Sequence, residues 1–255
     1  MNFITAAHTD IGIKKKTNQD SALIMEAESN VGNILLAVIC DGMGGLAKGE
    51  VASSALIQAF ADWFEQELPK NLLQNNLKEY IFNSWRDIAF RINYKISNYG
   101  RAQGIKLGTT LVAVLFVKSE YYIINIGDSR VYCLYDNIYQ LTKDQTFIQQ
   151  EMDMGRMTYQ EAMTSPKRSV LLQCVGASDC IEPAYYSGPV TSGQIFMLCS
   201  DGFRHVVGEQ ELYENLNPNV LTNEQVMLDR AIYLTELNKY RQEQDNISVI
   251  LIRVD

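Results

Sequence analysis

The chain has 255 residues, and its 47% hydrophobic content with only 5 prolines excludes a disordered or low-complexity polypeptide. Lys and Arg number 22 against 30 Asp and Glu, a net charge of −8, so no basic surplus exists to neutralise phosphates and a general nucleic-acid binder is excluded. The 5 cysteines include no Cys-x-x-Cys pair, which argues against a zinc knuckle or a disulfide framework and for reduced thiols.

In chain order, short apolar or alternating runs predict strands over Phe3–Ala7, Ser21–Met25 and Ile34–Cys40. Two long helices are predicted between Gly49 and Tyr99. The first carries Ala52, Leu56, Phe60 and Phe64 on one face, and the second carries Ile81, Trp85, Ile88, Ile92, Ile96 and Tyr99. Strands follow over Thr110–Val117 and Tyr121–Ile126, joined by a hairpin at Lys118-Ser119-Glu120. Further strands are predicted over Val131–Tyr135, Ile195–Cys199 and Ile247–Val254. A third helix is expected from Thr222, where Thr222-x-x-Gln225 matches a capping box, to about Gln242. Regular strand–helix alternation is missing. An α+β fold, mostly antiparallel sheet with helices on its faces, is therefore expected rather than a doubly wound parallel sheet. No apolar run exceeds the length of Ile34–Cys40, far short of the roughly 20 residues that span a bilayer. The basic cluster Lys14-Lys15-Lys16 follows the first apolar stretch instead of preceding it, unlike a signal peptide.

The aspartates fall at strand ends. Asp41 follows Ile34–Cys40, Asp128 lies between two predicted strands, Asp201 follows Ile195–Cys199 after one Ser, and Asp245 precedes Ile247–Val254. Each alone reads as a turn former, Asp128-Ser129 as a hairpin loop. Together they suggest an oxygen-ligand site for hard cations such as Mg²⁺ or Mn²⁺. With only His8 and His205 in the chain, a histidine-rich zinc or iron site is disfavoured. The segment Asp41-Gly42-Met43-Gly44-Gly45-x-x-x-Gly49-Glu50 lets backbone approach a ligand closely, yet supplies neither a Walker nor a dinucleotide-binding pattern.

Seven stretches in order carry a resemblance. They are Asn18-Gln19-Asp20, Asp41-Gly42-Met43-Gly44-Gly45, Gly108-Thr109-Thr110, Gly127-Asp128-Ser129-Arg130, Leu141-Thr142-x-Asp144, Ser200-Asp201-Gly202 and Asp245-Asn246-Ile247-Ser248. The set resembles the PP2C (PPM) family of metal-dependent Ser/Thr protein phosphatases in its bacterial form. The resemblance implies an αββα sandwich of two antiparallel sheets, one domain over residues 1–255, and a flap within 144–176. It implies two or three Mn²⁺ or Mg²⁺ ions. Asp41 would bridge two of them, Asp201 and Asp245 would complete one shell, and the Gly42 carbonyl and Asp20 would serve the other. Asp128, with Asp201, matches the third and weaker ion site. Phosphoserine and phosphothreonine would be hydrolysed by a hydroxide held between the two ions, with no phosphoenzyme. The alternative is a non-catalytic phosphoprotein-binding module that keeps the fold. Implied partners are phosphorylated proteins and a Ser/Thr kinase, with no nucleic acid or membrane, for a cytoplasmic monomer.

Three departures from the pattern stand out. The family's phosphate-binding Arg falls on Lys15, a point charge without the bidentate fork. The His that some members carry at or just after the Gly-rich motif is Met43 or Leu46. Arg204-His205 follows Ser200-Asp201-Gly202 and reads as a plain surface pair. His8 is expected to be a structural strand residue, Trp63 and Trp85 core residues, and Cys40 and Cys199 inert apolar fillers.

Overall fold

Strands apolar at every position must bury both faces. Alternate residues of one strand therefore enter two different cores. In strand β3 (Gly32–Cys40) the even positions Ile34, Leu36, Val38 and Cys40 join one core, and Leu35, Ala37 and Ile39 join another. A computed structural model describes residues 1–43 and 48–255. Before β3 come β1 (Phe3–Asp10) and β2 (Ser21–Ser29). After it come helices α1 (Gly49–Gln66) and α2 (Leu77–Gln103), then β4 (Leu111–Val117), β5 (Glu120–Ile126), β6 (Arg130–Leu134) and β7 (Ile138–Gln140). Short helices α3 (Phe147–Asp153) and α4 (Tyr159–Thr164) precede β8 (Ala184–Pro189) and β9 (Ile195–Cys199). The chain then forms α5 (Asp201–Arg204), α6 (Glu209–Leu216), α7 (Glu224–Tyr240) and β10 (Ile247–Val254).

The strands make two five-stranded antiparallel sheets, ordered β2-β3-β4-β5-β8 and β1-β10-β9-β6-β7. Their inner faces pack together through Leu35, Val112, Val114, Phe116, Phe196, Leu198, Ile250 and Ile252. Phe116 and Phe196 meet edge to face across this interface, with ring centroids 4.8 Å apart. Helices α1 and α2 cover the first sheet, where Trp63 and Trp85 lie buried 5.7 Å apart. Helices α5, α6 and α7 cover the second sheet. The result is the expected αββα sandwich.

Several local expectations shift. The hairpin between β4 and β5 turns on Lys118 and Ser119 alone, with φ of 53° and 62°, the paired left-handed geometry of a two-residue turn. Asp128-Ser129 is no hairpin loop: β5 and β6 belong to different sheets, so this segment carries the chain from one layer to the other. Asn223, not Thr222, caps α7; its Oδ1 accepts from Val226 N–H at 3.0 Å. Tyr99 leaves the buried face of α2 and its hydroxyl accepts from Lys48 Nζ at 3.2 Å.

Candidate metal centre

The strand registers bring the acidic strand ends to one end of the sandwich. In the first sheet Ser21 pairs with Cys40 and Leu111 with Ile126, so Asp20, Asp41, Thr110 and Gly127 are neighbours. In the second, Asp10 pairs with Ile247 and Cys199 with both Val249 and Arg130, which gathers Asp201, Asp245 and Asp128. Asn246 stitches the two ends: its Oδ1 accepts from Gln19 N–H at 3.0 Å, and its Nδ2 donates to Ile11 O at 2.9 Å.

Backbone bonds hold Asp41 in place. Its N–H donates to Thr110 Oγ1 at 3.0 Å, and its carbonyl accepts from Thr110 N–H and Thr109 Oγ1, each at 2.9 Å. Thr110 Oγ1 in turn lies 2.7 Å from Ser129 Oγ, so three of the motif stretches form one hydrogen-bonded unit. Gly42 is required by close approach: a Cβ there would stand 2.4 Å from Gln19 O and 2.7 Å from Gly49 O. Gly44, Gly45 and Leu46 lie outside the described residues.

Electrostatics mark the cluster. Asp20 is 9% exposed, Asp128 5% and Asp201 8%. Both carboxylate oxygens of Asp20 and Oδ1 of Asp201 find no hydrogen-bond partner among the described residues. The Ser248 and Ser200 hydroxyls near Asp20 fall short of bonding geometry; they soften the effect of burial and of Asp201 and Asp245, which still lift Asp20 to about 7. Burial, then Asp20, Asp201, Asp245 and Asp128 in turn, push Asp41 well above the ordinary carboxylate range. Four buried or half-buried carboxylates, Asp20, Asp41, Asp201 and Asp245, in mutual repulsion are a poor arrangement unless cations join them.

The donor set fits hard divalent ions, being all oxygen and partly unsatisfied. Among the described residues, however, no three His, Cys, Asp or Glu side chains stand as a ready coordination cluster. Asp245 is drawn onto Lys15, Oδ1 to Nζ 2.6 Å. The expected phosphate-binding residue and an expected metal ligand are thus partners here.

The structure overturns the surface reading of Arg204-His205: their side chains are only 10% and 15% exposed. His205 sits between Asp201 Oδ2 and Glu243 Oε2, each 3.4 Å away. Burial would lower its pKa, but Asp201 and Glu243 outweigh that and raise it. Glu243 Oε1 also accepts from the backbone N–H of Gln244 at 2.7 Å and of Asp245 at 3.0 Å, holding the loop before β10. Sequence reading missed Glu243; the signal was its place two residues before Asp245. Cys40 and Cys199 are buried as expected. Burial lifts the Cys40 thiol well above its usual value and Cys199 to about 12, so neither is a nucleophile.

Gly202 joins the two acidic segments of the second sheet. A Cβ at this position would lie 2.2 Å from Asn246 O. Gly202→Ala should therefore cost about 1–3 kcal/mol of stability. It should also raise the Mn²⁺ concentration needed to protect the fold. Thermal denaturation with and without Mn²⁺ checks this, and an unchanged midpoint in both would contradict the close approach.

A family model described as Protein phosphatase 2C matches residues 12–245. The serine/threonine phosphatase stp of Listeria monocytogenes is 29% identical over 252 residues, covering 97% of this chain and 94% of the relative. Among solved structures, the Mycobacterium tuberculosis serine/threonine phosphatase PstP/Ppp superposes with a TM-score of 0.81 at 30% identity, covering 99% of both chains. A structure of the PstP catalytic domain in complex with 2 manganese ions aligns at a TM-score of 0.77 and 30% identity, again over 99% of both chains. With the motif order, the αββα layers and the clustered carboxylates, these matches establish that the chain belongs to the protein phosphatase 2C family.

Proposed function

We propose that this chain is a metal-dependent protein serine/threonine phosphatase whose centre holds two Mn²⁺ or Mg²⁺ ions through Asp20, Asp41, the Gly42 carbonyl, Asp201 and Asp245. The observation that carries the reading is the buried carboxylate cluster with unpartnered oxygens at one end of the sandwich. The family membership and the two manganese ions of the PstP neighbour support it. When bound, such ions lower the pKa of water to near neutral and neutralise charge on the transferred phosphoryl group.

The chain's own residues do the positioning. Asp41 is fixed by Thr109 and Thr110, and Gly42 by its bond to Gln19 O at 3.1 Å. Lys15 would supply a point positive charge for the substrate phosphate, and its partner in this structure, Asp245, is one of the residues that would hold an ion. The Cys40 and Cys199 thiols beside the site are not offered as nucleophiles, because burial keeps both protonated. The segment 144–176 serves as the flap over the substrate. It presents Met154, just after α3, and Tyr159 and Met163 of α4 to solvent, and it is clipped at its base by Phe147 N–H to Val170 O at 2.8 Å. Residues 1–255 then act as one catalytic domain, a monomer opposing a Ser/Thr kinase in the cytoplasm. No helix among the described residues is long and apolar enough to cross a membrane.

Phosphate release from a phosphothreonine peptide in Mn²⁺, with EDTA as control, tests the function. Release that requires Mn²⁺ and stops in EDTA is expected; release that persists in EDTA would contradict it. Lys15→Ala should raise KM for the peptide more than it lowers kcat, as loss of uniform phosphate binding does. An unchanged KM would confine Lys15 to its contact with Asp245.

A further inference from the structure

Beside the acidic cluster lies a second charged group whose balance is different. Arg130 grips Asp144 with both arms, Nε to Oδ1 at 2.7 Å and Nη2 to Oδ2 at 2.8 Å. Arg204 Nη2 donates to Asp128 O at 2.8 Å and to Asp144 Oδ2 at 3.4 Å, and stands 3.8 Å from Asp128 Oδ2. All four side chains, Arg130, Arg204, Asp128 and Asp144, are mostly buried. Two guanidinium groups thus face two carboxylates, so the four formal charges cancel, while burial and the neighbouring Asp201 outweigh Arg204 at Asp128. The cluster of Asp20, Asp41, Asp201 and Asp245 has four carboxylates, with Lys15 on Asp245 and His205 on Asp201. The uncompensated negative charge lies there.

We infer that Arg204 is the built-in counterion of Asp128, so that the centre takes its divalent ions at the Asp20, Asp41, Asp201 and Asp245 cluster and none at Asp128. This rests on the reading of that cluster as a divalent-ion centre. A guanidinium cannot give up its proton in a protein, so its charge is permanent. A dipositive ion on the Asp128 carboxylate would sit against that fixed charge in a buried, weakly screened place. It would also break a neutral group to do so. The third ion site implied by sequence resemblance does not fit these residues: Asp128 anchors an arginine instead.

The test is the number of Mn²⁺ ions bound per chain, measured on the full protein by equilibrium dialysis with elemental analysis. Wild type and Asp128→Asn are expected to bind the same number. Arg204→Gln is expected to gain one weaker ion, and Arg204→Gln combined with Asp128→Asn to lose it again. Arg204→Lys, which keeps the charge, should match wild type. If Arg204→Gln does not fold, the comparison of wild type, Asp128→Asn and Arg204→Lys still decides. A wild-type protein that loses one ion on Asp128→Asn, or a folded Arg204→Gln that gains none, overturns the assignment. A folded wild type that binds no Mn²⁺ overturns the divalent-ion reading itself, a distinct result.

Discussion

Asp201→Asn is expected to lower phosphate release by more than about 100-fold, beyond the 10–100-fold typical of losing an outer partner of a metal ligand. The same substitution should leave the metal-free fold as stable as wild type or more so. Asp201 is buried, its Oδ1 has no hydrogen-bond partner among the described residues, and its charge raises the pKa of both Asp20 and Asp41. Removing one charge from a crowd of like charges relieves repulsion, whereas removing a ligand weakens ion binding. The two effects separate in one experiment. Mn²⁺ should raise the melting temperature of wild type by mass action and raise that of the variant much less. A near-normal rate, or an undiminished Mn²⁺ stabilisation, would take Asp201 out of the site.

The largest effect on stability is expected at Asp144. Burial alone would raise its pKa, but the Arg204 charge and the bonds from Arg130 outweigh burial and hold it below the ordinary carboxylate range. Asp144→Asn leaves two buried guanidinium groups short of an anion, which should cost about 3–5 kcal/mol. The pH dependence follows from the direction of the shift. A carboxyl whose folded pKa is depressed contributes stability that is fully present above its unfolded pKa of about 3.9. That contribution is lost as pH falls through the folded value. The gap between wild type and Asp144→Asn in urea denaturation should therefore be widest near neutral pH and narrow in acid. A gap below about 1 kcal/mol at neutral pH, the range of exposed pairs, would contradict the buried quartet.

Much of this centre was legible because its chemistry sits where strands stop. Asp41, Asp201 and Asp245 adjoin strands apolar enough to be recognised by composition, and register alone then carries them to one end. The missing strand–helix alternation likewise pointed to antiparallel sheet with helices on its faces, while the burial of Ile34–Cys40 on both faces is seen only in the structure. What failed was information that only the tertiary structure holds. Asp128-Ser129 has the residues of a hairpin loop, yet the strands it joins pair in different sheets. Arg204 and His205 look like surface residues, and their burial depends on Asp128, Asp144 and Glu243, all distant in sequence. The short elements β7, α3 and α4 carry too few residues for a period to show. At α7, Thr222 and Asn223 are both good caps, and which one the helix uses was decided by a single residue of register.

The most direct test of a shared ion centre is anomalous diffraction from crystals grown with Mn²⁺. Peaks enclosed by the carboxylates of Asp41, Asp201 and Asp245, with Asp20 facing them and Asp128 still on Arg204, are the predicted result. Manganese bound elsewhere, or these aspartates each left in separate solvent, would contradict it.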